Sequence, residues 1–211
     1  ERYAKAFRKA GFSADLSSFQ PLEYAVTQSV ETFLAGMGSN KIGIAGENLH
    51  GVYHGLDFLK DINMGKEVKV GKRVVIIGGG STAMDAARSA LRLGAEEVHL
   101  LYRRLQKDMP ADDREIEEGI EEGIILHTLG TPIAIKGHSD VSGIRLIHLS
   151  QGDFDTTGRR QPIKEFGSEY IMECDMVIPA VSQHSDLPFI DKDEIEMTDW
   201  GTFVVDATSG M

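Results

Sequence analysis

The chain has 211 residues, 41% hydrophobic and 26% charged, which suits one large globular domain or one domain with part of a second. Its 22 basic and 33 acidic side chains give a formal net charge of −11, which argues against nucleic acid as the main partner while leaving room for a local anion site. The single cysteine, Cys174, excludes an internal disulfide and a cysteine-held metal or iron–sulfur centre, which fits a cytoplasmic location, and no apolar run is long enough to expect a membrane span.

Tyr3 to Ala10 reads as a short helix closed by Gly11, residues 12–28 show no clear period, and Val30 to Ala35 is strand-like. A Gly-rich loop over 40–55 leads into a short helix from Gly55 to Lys60. The pattern then sharpens. Arg73 to Ile77 is a β-branched run, as expected of a strand buried on both faces. Thr82 to Leu93 is helical, with Ala83, Ala86, Ala87, Ala90 and Leu91 on one narrow face and Gly94 at the C-cap. Glu97 to Tyr102 is a second strand, Asp112 to Glu122 an acidic helix, and Ile124 to His127 a third strand. That alternation predicts an α/β, Rossmann-like, doubly wound parallel sheet.

After residue 130 the texture changes. Thr131 to Lys136, Gly143 to Leu149 and Glu169 to Glu173 read as three strands with no helix between them, hence an inserted antiparallel three-stranded meander. Ser150 to Glu165 reads as a polar excursion. Met176 to Pro179 and Trp200 to Asp206 are two further strands.

The central signal is Gly78-Gly79-Gly80-Ser81-Thr82-Ala83, a G-x-G-x-x-A pattern between a strand and a helix. Gly78 allows the tight turn, Gly80 lets backbone approach a pyrophosphate, and Ala83 lets the helix lie close on the strand. The helix N-terminus then offers N–H groups and partial positive charge to phosphate. The end of the second strand selects the cofactor. An acid there suits the ribose hydroxyl of NAD; this chain has Arg103 and Arg104, with Lys107 close behind, which suit the 2′-phosphate of NADPH.

Other signals have plainer readings. His50 and His54 lie in a Gly-rich junction with no third metal ligand. The acid run Asp112, Asp113, Glu115, Glu117, Glu118, Glu121 and Glu122 is the solvated face of a helix, and Cys174 precedes a buried strand and reads as core. No catalytic side chain and no metal ligand is expected.

The run Val74 to Ala111, "VVIIGGGSTAMDAARSALRLGAEEVHLLYRRLQKDMPA", resembles the NADPH domain of the glutamate synthase small-subunit family, shared with dihydropyrimidine dehydrogenase and NADH-dependent ferredoxin:NADP oxidoreductases. "GENLHGVYHGLDFLKD", residues 46–61, resembles the family's passage from FAD domain to NADPH domain. "ECDMVIPAVSQHSDLP" resembles its "DxVIPAIGQxPD" stretch, and "TDWGTFVVDATSGM" the strand before its second FAD motif. The resemblance implies that Ala180, Val181 and Ser182 face the nicotinamide ribose, with Ser182 standing where the family usually has Gly. It also implies FAD and iron–sulfur clusters in a full-length parent, an FAD domain on the same chain as partner, and a large catalytic subunit beyond it.

The family's two FAD motifs are absent from these residues, and the charged start Glu1-Arg2-Tyr3 and the strand-like end both read as cuts. The expected organisation is a remnant of the FAD-domain side with a linker over 1–65 and an NAD(P)-binding domain over 66–211. Two other readings compete. A short-chain dehydrogenase needs Tyr-x-x-x-Lys, and no tyrosine here has that lysine. A nucleotide-sensing Rossmann module shares the fold but gives no reason for Arg103-Arg104.

Overall fold

The computed structural model describes residues 37–39, 41–156, 158–181 and 183–185. All of them belong to one compact unit, Leu34–Met211. The expected elements at Tyr3–Ala10, Val30–Ala35 and Trp200–Asp206 lie outside the described residues.

Four parallel strands form the central sheet. They are β2 (Arg73–Ile77), β3 (Glu97–Tyr102), β4 (Ile124–Thr128) and β9 (Met176–Pro179), in the order β4-β3-β2-β9. The sequence places all four because each is a short apolar run, and the structure buries both faces of β2 and β9 while the edge strand β4 leaves Ile125 exposed. Val74, Ile76, Val98, Leu100, Met176 and Ile178 point to one side, and Val75, Ile77, Leu101 and Val177 to the other. That period of two explains why the runs lack polar alternation.

The first side is covered by α1 (Gly55–Asn63), α2 (Ser81–Arg92) and α3 (Asp113–Glu121). Ala83, Ala86, Ala87 and Ala90 are fully buried, and only such small side chains let α2 lie this close to the sheet. Gly119 lets α3 pack closely on α2, since a Cβ there would stand 2.5 Å from the terminal methyl of Met84. Asp112 caps α3 by accepting from the Arg114 N–H at 2.9 Å. Gly94 follows α2 with φ +100, a left-handed position that glycine takes without strain. The acid run is the outer face of α3, where Glu118 and Glu122 pair with Arg88 and Arg92 of α2.

The second side is covered by strands, because residues 130–172 contain no helix to do it. β5 (Gly130–Gly137), β6 (Val141–Phe154) and β8 (Tyr170–Met172) are antiparallel with β6 in the centre, as the meander expectation requires. Ile135, Val141, Ile144 and Leu146 pack with Cys174 against Val75, Ile77, Leu101 and Val177. Cys174 is core, and burial pushes its thiol pKa up to about 12.

The structure adds what the sequence reading leaves out. The polar excursion 150–165 is a hairpin, in which β6 runs on to Phe154 and turns back through β7 (Arg160–Lys164). β7 carries Pro162 and little apolar alternation, so it suits an edge position and gives no sequence signal. A short pair, β1 (Met37–Ser39) with β10 (Gln183–Ser185), runs antiparallel. Among the described residues no helix is long and apolar enough to cross a membrane.

Candidate dinucleotide site

The glycine turn sits where the order of the parallel strands reverses. β2 leads into it, β3 lies on one side, and β9 on the other. Open α/β sheets bind ligands at such a point, outside the C-terminal ends of the strands. A cavity of about 580 Å³ lies there, within the usual size of small-molecule sites. Its walls come from Ile77 to Gly80 and Thr82, from Leu101 to Arg103, from Gly130 to Pro132, and from Pro179 to Val181. Lys41, Ile42, Leu56 and Pro110 complete the lining.

The three glycines differ in what surrounds them. A Cβ on Gly78 would meet the Ala180 carbonyl oxygen at 2.5 Å and the Ala83 Cβ at 3.0 Å. A Cβ on Gly79 would meet the Tyr102 ring at 2.4 Å. Tyr102 cannot retreat, because it is buried and its hydroxyl donates to the Asp108 carbonyl at 2.6 Å. A Cβ on Gly80 would meet nothing within 4 Å. Gly80 is therefore not held as glycine by the protein; it faces open space at the start of α2. It is the N-cap of α2, with no side-chain capping bond, and the first turn holds no acidic residue. Such a helix start suits a phosphate, so the fit of a dinucleotide is good at its pyrophosphate.

The other sequence candidates divide. Ala83 is buried behind the turn, where its small size matters, and Ser81 is exposed with its hydroxyl donating to Glu115 at 3.0 Å. Thr82, Ala180 and Val181 line the cavity; Ser182 lies outside the described residues. Arg103 is exposed and lines the cavity at the end of β3. Lys107 is exposed in the short 3₁₀ turn Gln106–Asp108 and is not part of the wall.

The structure does not bring Arg104 to the cavity beside Arg103. Both residues lie in the bend after β3, where Arg103 is exposed and Arg104 is buried at 9% exposure. Its guanidinium donates to Asp155 at 2.9 Å and to the Arg160 carbonyl at 3.0 Å, so it ties β3 to the β6–β7 hairpin. Lys41 is the converse case, a lining cation that sequence reading missed. It precedes the glycine signal by more than 30 residues, inside a loop with no periodicity. Among the described residues no group of His, Cys, Asp and Glu is arranged to hold a metal.

This fold and site define an α/β domain with a dinucleotide fingerprint. The pattern of the pyridine nucleotide-disulphide oxidoreductase family matches residues 28–210, and the chain belongs to that family. The family uses NAD(P) and FAD. The chain is 45% identical over 153 residues to the NADPH-Fe(3+) oxidoreductase subunit beta of Geobacter sulfurreducens, covering 71% of this chain and 23% of that protein. It is 37% identical over 180 residues to the glutamate synthase [NADPH] small chain of Azospirillum brasilense, covering 79% of this chain and 37% of that protein. The chain thus spans less than half the length of these curated relatives. Mycobacterium tuberculosis FprA in complex with NADPH shares the fold, with a TM-score of 0.61 at 19% identity over 76% of this chain and 50% of that one.

Proposed function

We propose that this chain is the NADPH-binding domain of a glutamate-synthase-small-subunit-like oxidoreductase. In this reading it presents NADPH to an FAD held by another domain of the same full-length protein, with iron–sulfur clusters and a large catalytic subunit taking the electrons onward. The observation that carries the reading is Gly80, which opens α2 onto a cavity whose only charged lining residues, among those described, are the cations Lys41 and Arg103.

The proposed division of labour is as follows. The backbone of Gly78 to Thr82 takes the pyrophosphate, Arg103 takes the 2′-phosphate with Lys107 nearby, and Ala180, Val181 and Ser182 take the nicotinamide ribose. Arg104 is a positioning residue, anchoring the strand end that carries Arg103. When bound, NADPH supplies a hydride that passes directly to flavin, so no side-chain acid or base is required of this domain. What the protein contributes is orientation. In this proposal residues 1–65 belong to the FAD-domain side and linker, with α1 docked on the NADPH domain through buried Phe58. The 211 residues contain neither FAD motif, so the chain alone is expected to bind NADPH without reducing dyes.

The names of the relatives support an NADPH-linked electron-transfer role and differ in the final acceptor. The test is fluorescence titration of the chain with NADPH, NADH, ATP and AMP. The reading expects NADPH to bind tightest. Tighter binding of ATP or AMP would overturn it in favour of a nucleotide sensor.

A further inference from the structure

Resting on the dinucleotide reading, the cavity poses a charge question. NADPH carries anionic groups at separate places, the pyrophosphate and the 2′-phosphate. The glycine turn offers neutral backbone donors, and no carboxylate lines the cavity among the described residues. The lining cations come from different elements. Arg103 follows β3, on one side of β2. Lys41 lies two residues beyond β1, whose Ser39 pairs with Gln183 of β10, four residues past the end of β9. β9 flanks β2 on the other side. Lys41 and Arg103 therefore reach the cavity from separate segments, one following β1 and the other following β3.

The loop that carries Lys41 is built to hold its shape. Glu47 is buried, and its carboxylate accepts from the N–H groups of Ile42 at 2.6 Å and Gly43 at 2.9 Å. The Ala45 carbonyl accepts from Ile135 at 2.8 Å, which fastens the loop to β5. Gly46 lets the two backbones close together, since a Cβ there would stand 2.2 Å from the Ile135 carbonyl oxygen. The loop's own carboxylate is therefore turned inward to backbone, while Lys41 is exposed and lines the cavity. A lysine acts on phosphate as a point charge, which suits a group with two anionic oxygens in no fixed plane.

We infer that Lys41 is a cofactor-binding residue whose charge acts on the pyrophosphate held at the glycine turn. The 2′-phosphate is left to Arg103. This assignment separates two kinds of ligand. NADPH and NADH share the pyrophosphate, whereas adenosine 2′-monophosphate has the 2′-phosphate without it.

The experiment is calorimetric titration of the 211-residue chain and its Lys41→Ala, Lys41→Gln and Lys41→Arg variants with NADPH, NADH and adenosine 2′-monophosphate. Circular dichroism confirms that each variant is folded. Loss of one charge-assisted contact is expected to weaken NADPH and NADH alike, by roughly tenfold in Lys41→Ala and Lys41→Gln. Lys41→Arg keeps the charge and is expected to stay within about threefold. Adenosine 2′-monophosphate is expected to bind all four proteins alike. Unchanged affinity for both dinucleotides in Lys41→Ala would overturn the inference. So would a loss confined to NADPH and adenosine 2′-monophosphate, which would move Lys41 to the 2′-phosphate. A wild-type chain that binds none of the three ligands would overturn the dinucleotide reading itself, and this assignment with it.

Discussion

The guanidinium of Arg104 meets the carboxylate of Asp155 at 2.9 Å, across 51 residues of sequence. Both side chains are largely covered, at 10% and 22% exposure. The backbone takes part as well, with the Arg104 carbonyl accepting from the Leu129 N–H at 3.3 Å. Arg104 thus joins the end of β3 to the start of β5 and to the β6–β7 hairpin. An arginine that looks like half of a phosphate-binding pair is a structural tie.

A stability prediction follows from that tie. Removing a covered, charge-assisted hydrogen bond costs about 1.5–3 kcal/mol. Arg104→Ala is expected to lower the urea midpoint of unfolding accordingly, and to weaken NADPH binding less than Arg103→Ala does. Asp155→Ala is expected to destabilise as well, and a double-mutant cycle should return a favourable coupling. A variant Arg104→Ala with full stability and the larger loss of NADPH would put Arg104 back at the phosphate.

The glycine turn separates folding from binding at adjacent positions. Gly79→Ala drives a Cβ into the buried Tyr102 ring and is expected to destabilise by about 1–3 kcal/mol, the range for overpacking. Gly80 has an extended backbone, with φ −96 and ψ 176, and open space around its missing Cβ. Gly80→Ala is therefore expected to cost less than about 1 kcal/mol in stability while weakening NADPH roughly tenfold or more, because the new methyl occupies cofactor space. Thermal unfolding and titration of both variants check this. Equal NADPH binding by wild type and Gly80→Ala would remove the pyrophosphate from this turn.

The pH dependence has a defined sign. On neighbouring strands β3 and β4, His99 Nδ1 and His127 Nε2 stand 3.0 Å apart. Burial, and next the neighbouring His99, hold the His127 pKa below the ordinary value of about 6.5. The folded state thus binds its proton less readily than the unfolded chain does. The stability this contributes is fully present above the unfolded value and is lost as pH falls below about 6.5 towards the folded value. Urea midpoints should fall between pH 7.5 and pH 5.5, and the fall should be smaller in His127→Gln. An identical fall in the variant would assign the effect to other groups.

These cases mark what the sequence makes legible. The strands β2, β3, β4 and β9, the helices α2 and α3, and the fingerprint are all local signals, written in runs of apolar residues and in glycines at fixed offsets. The Ala stripe of α2 is legible for the same reason, since its packing depends on residues one turn apart. Arg104 is not legible, because its partner Asp155 lies in a hairpin that itself carries no apolar alternation. Phe154, half of that hairpin's signal, is exposed, with the Arg160 guanidinium 4.4 Å over its ring. Lys41 is missed because the loop that brings it to the cavity is shaped by Glu47 and Ile135, through contacts that leave no period in the sequence. The inserted strands after residue 130 are legible from the absence of helical pattern there, but that they fold over the second face of the sheet is decided by Ile135, Ile144 and Leu146 packing on β2 and β3.

The central claim is that the cavity at Gly78 to Ala83 binds NADPH and reads its 2′-phosphate through Arg103. The most direct measurement is a pair of titrations, NADPH and NADH, on wild type and Arg103→Ala, at low and high salt. Wild type is expected to prefer NADPH, and Arg103→Ala to weaken NADPH by about 10- to 100-fold while NADH changes little. Because Arg103 is exposed, added salt should narrow the wild-type preference. Equal binding of the two cofactors by wild type, or equal loss of both in Arg103→Ala, would contradict the account.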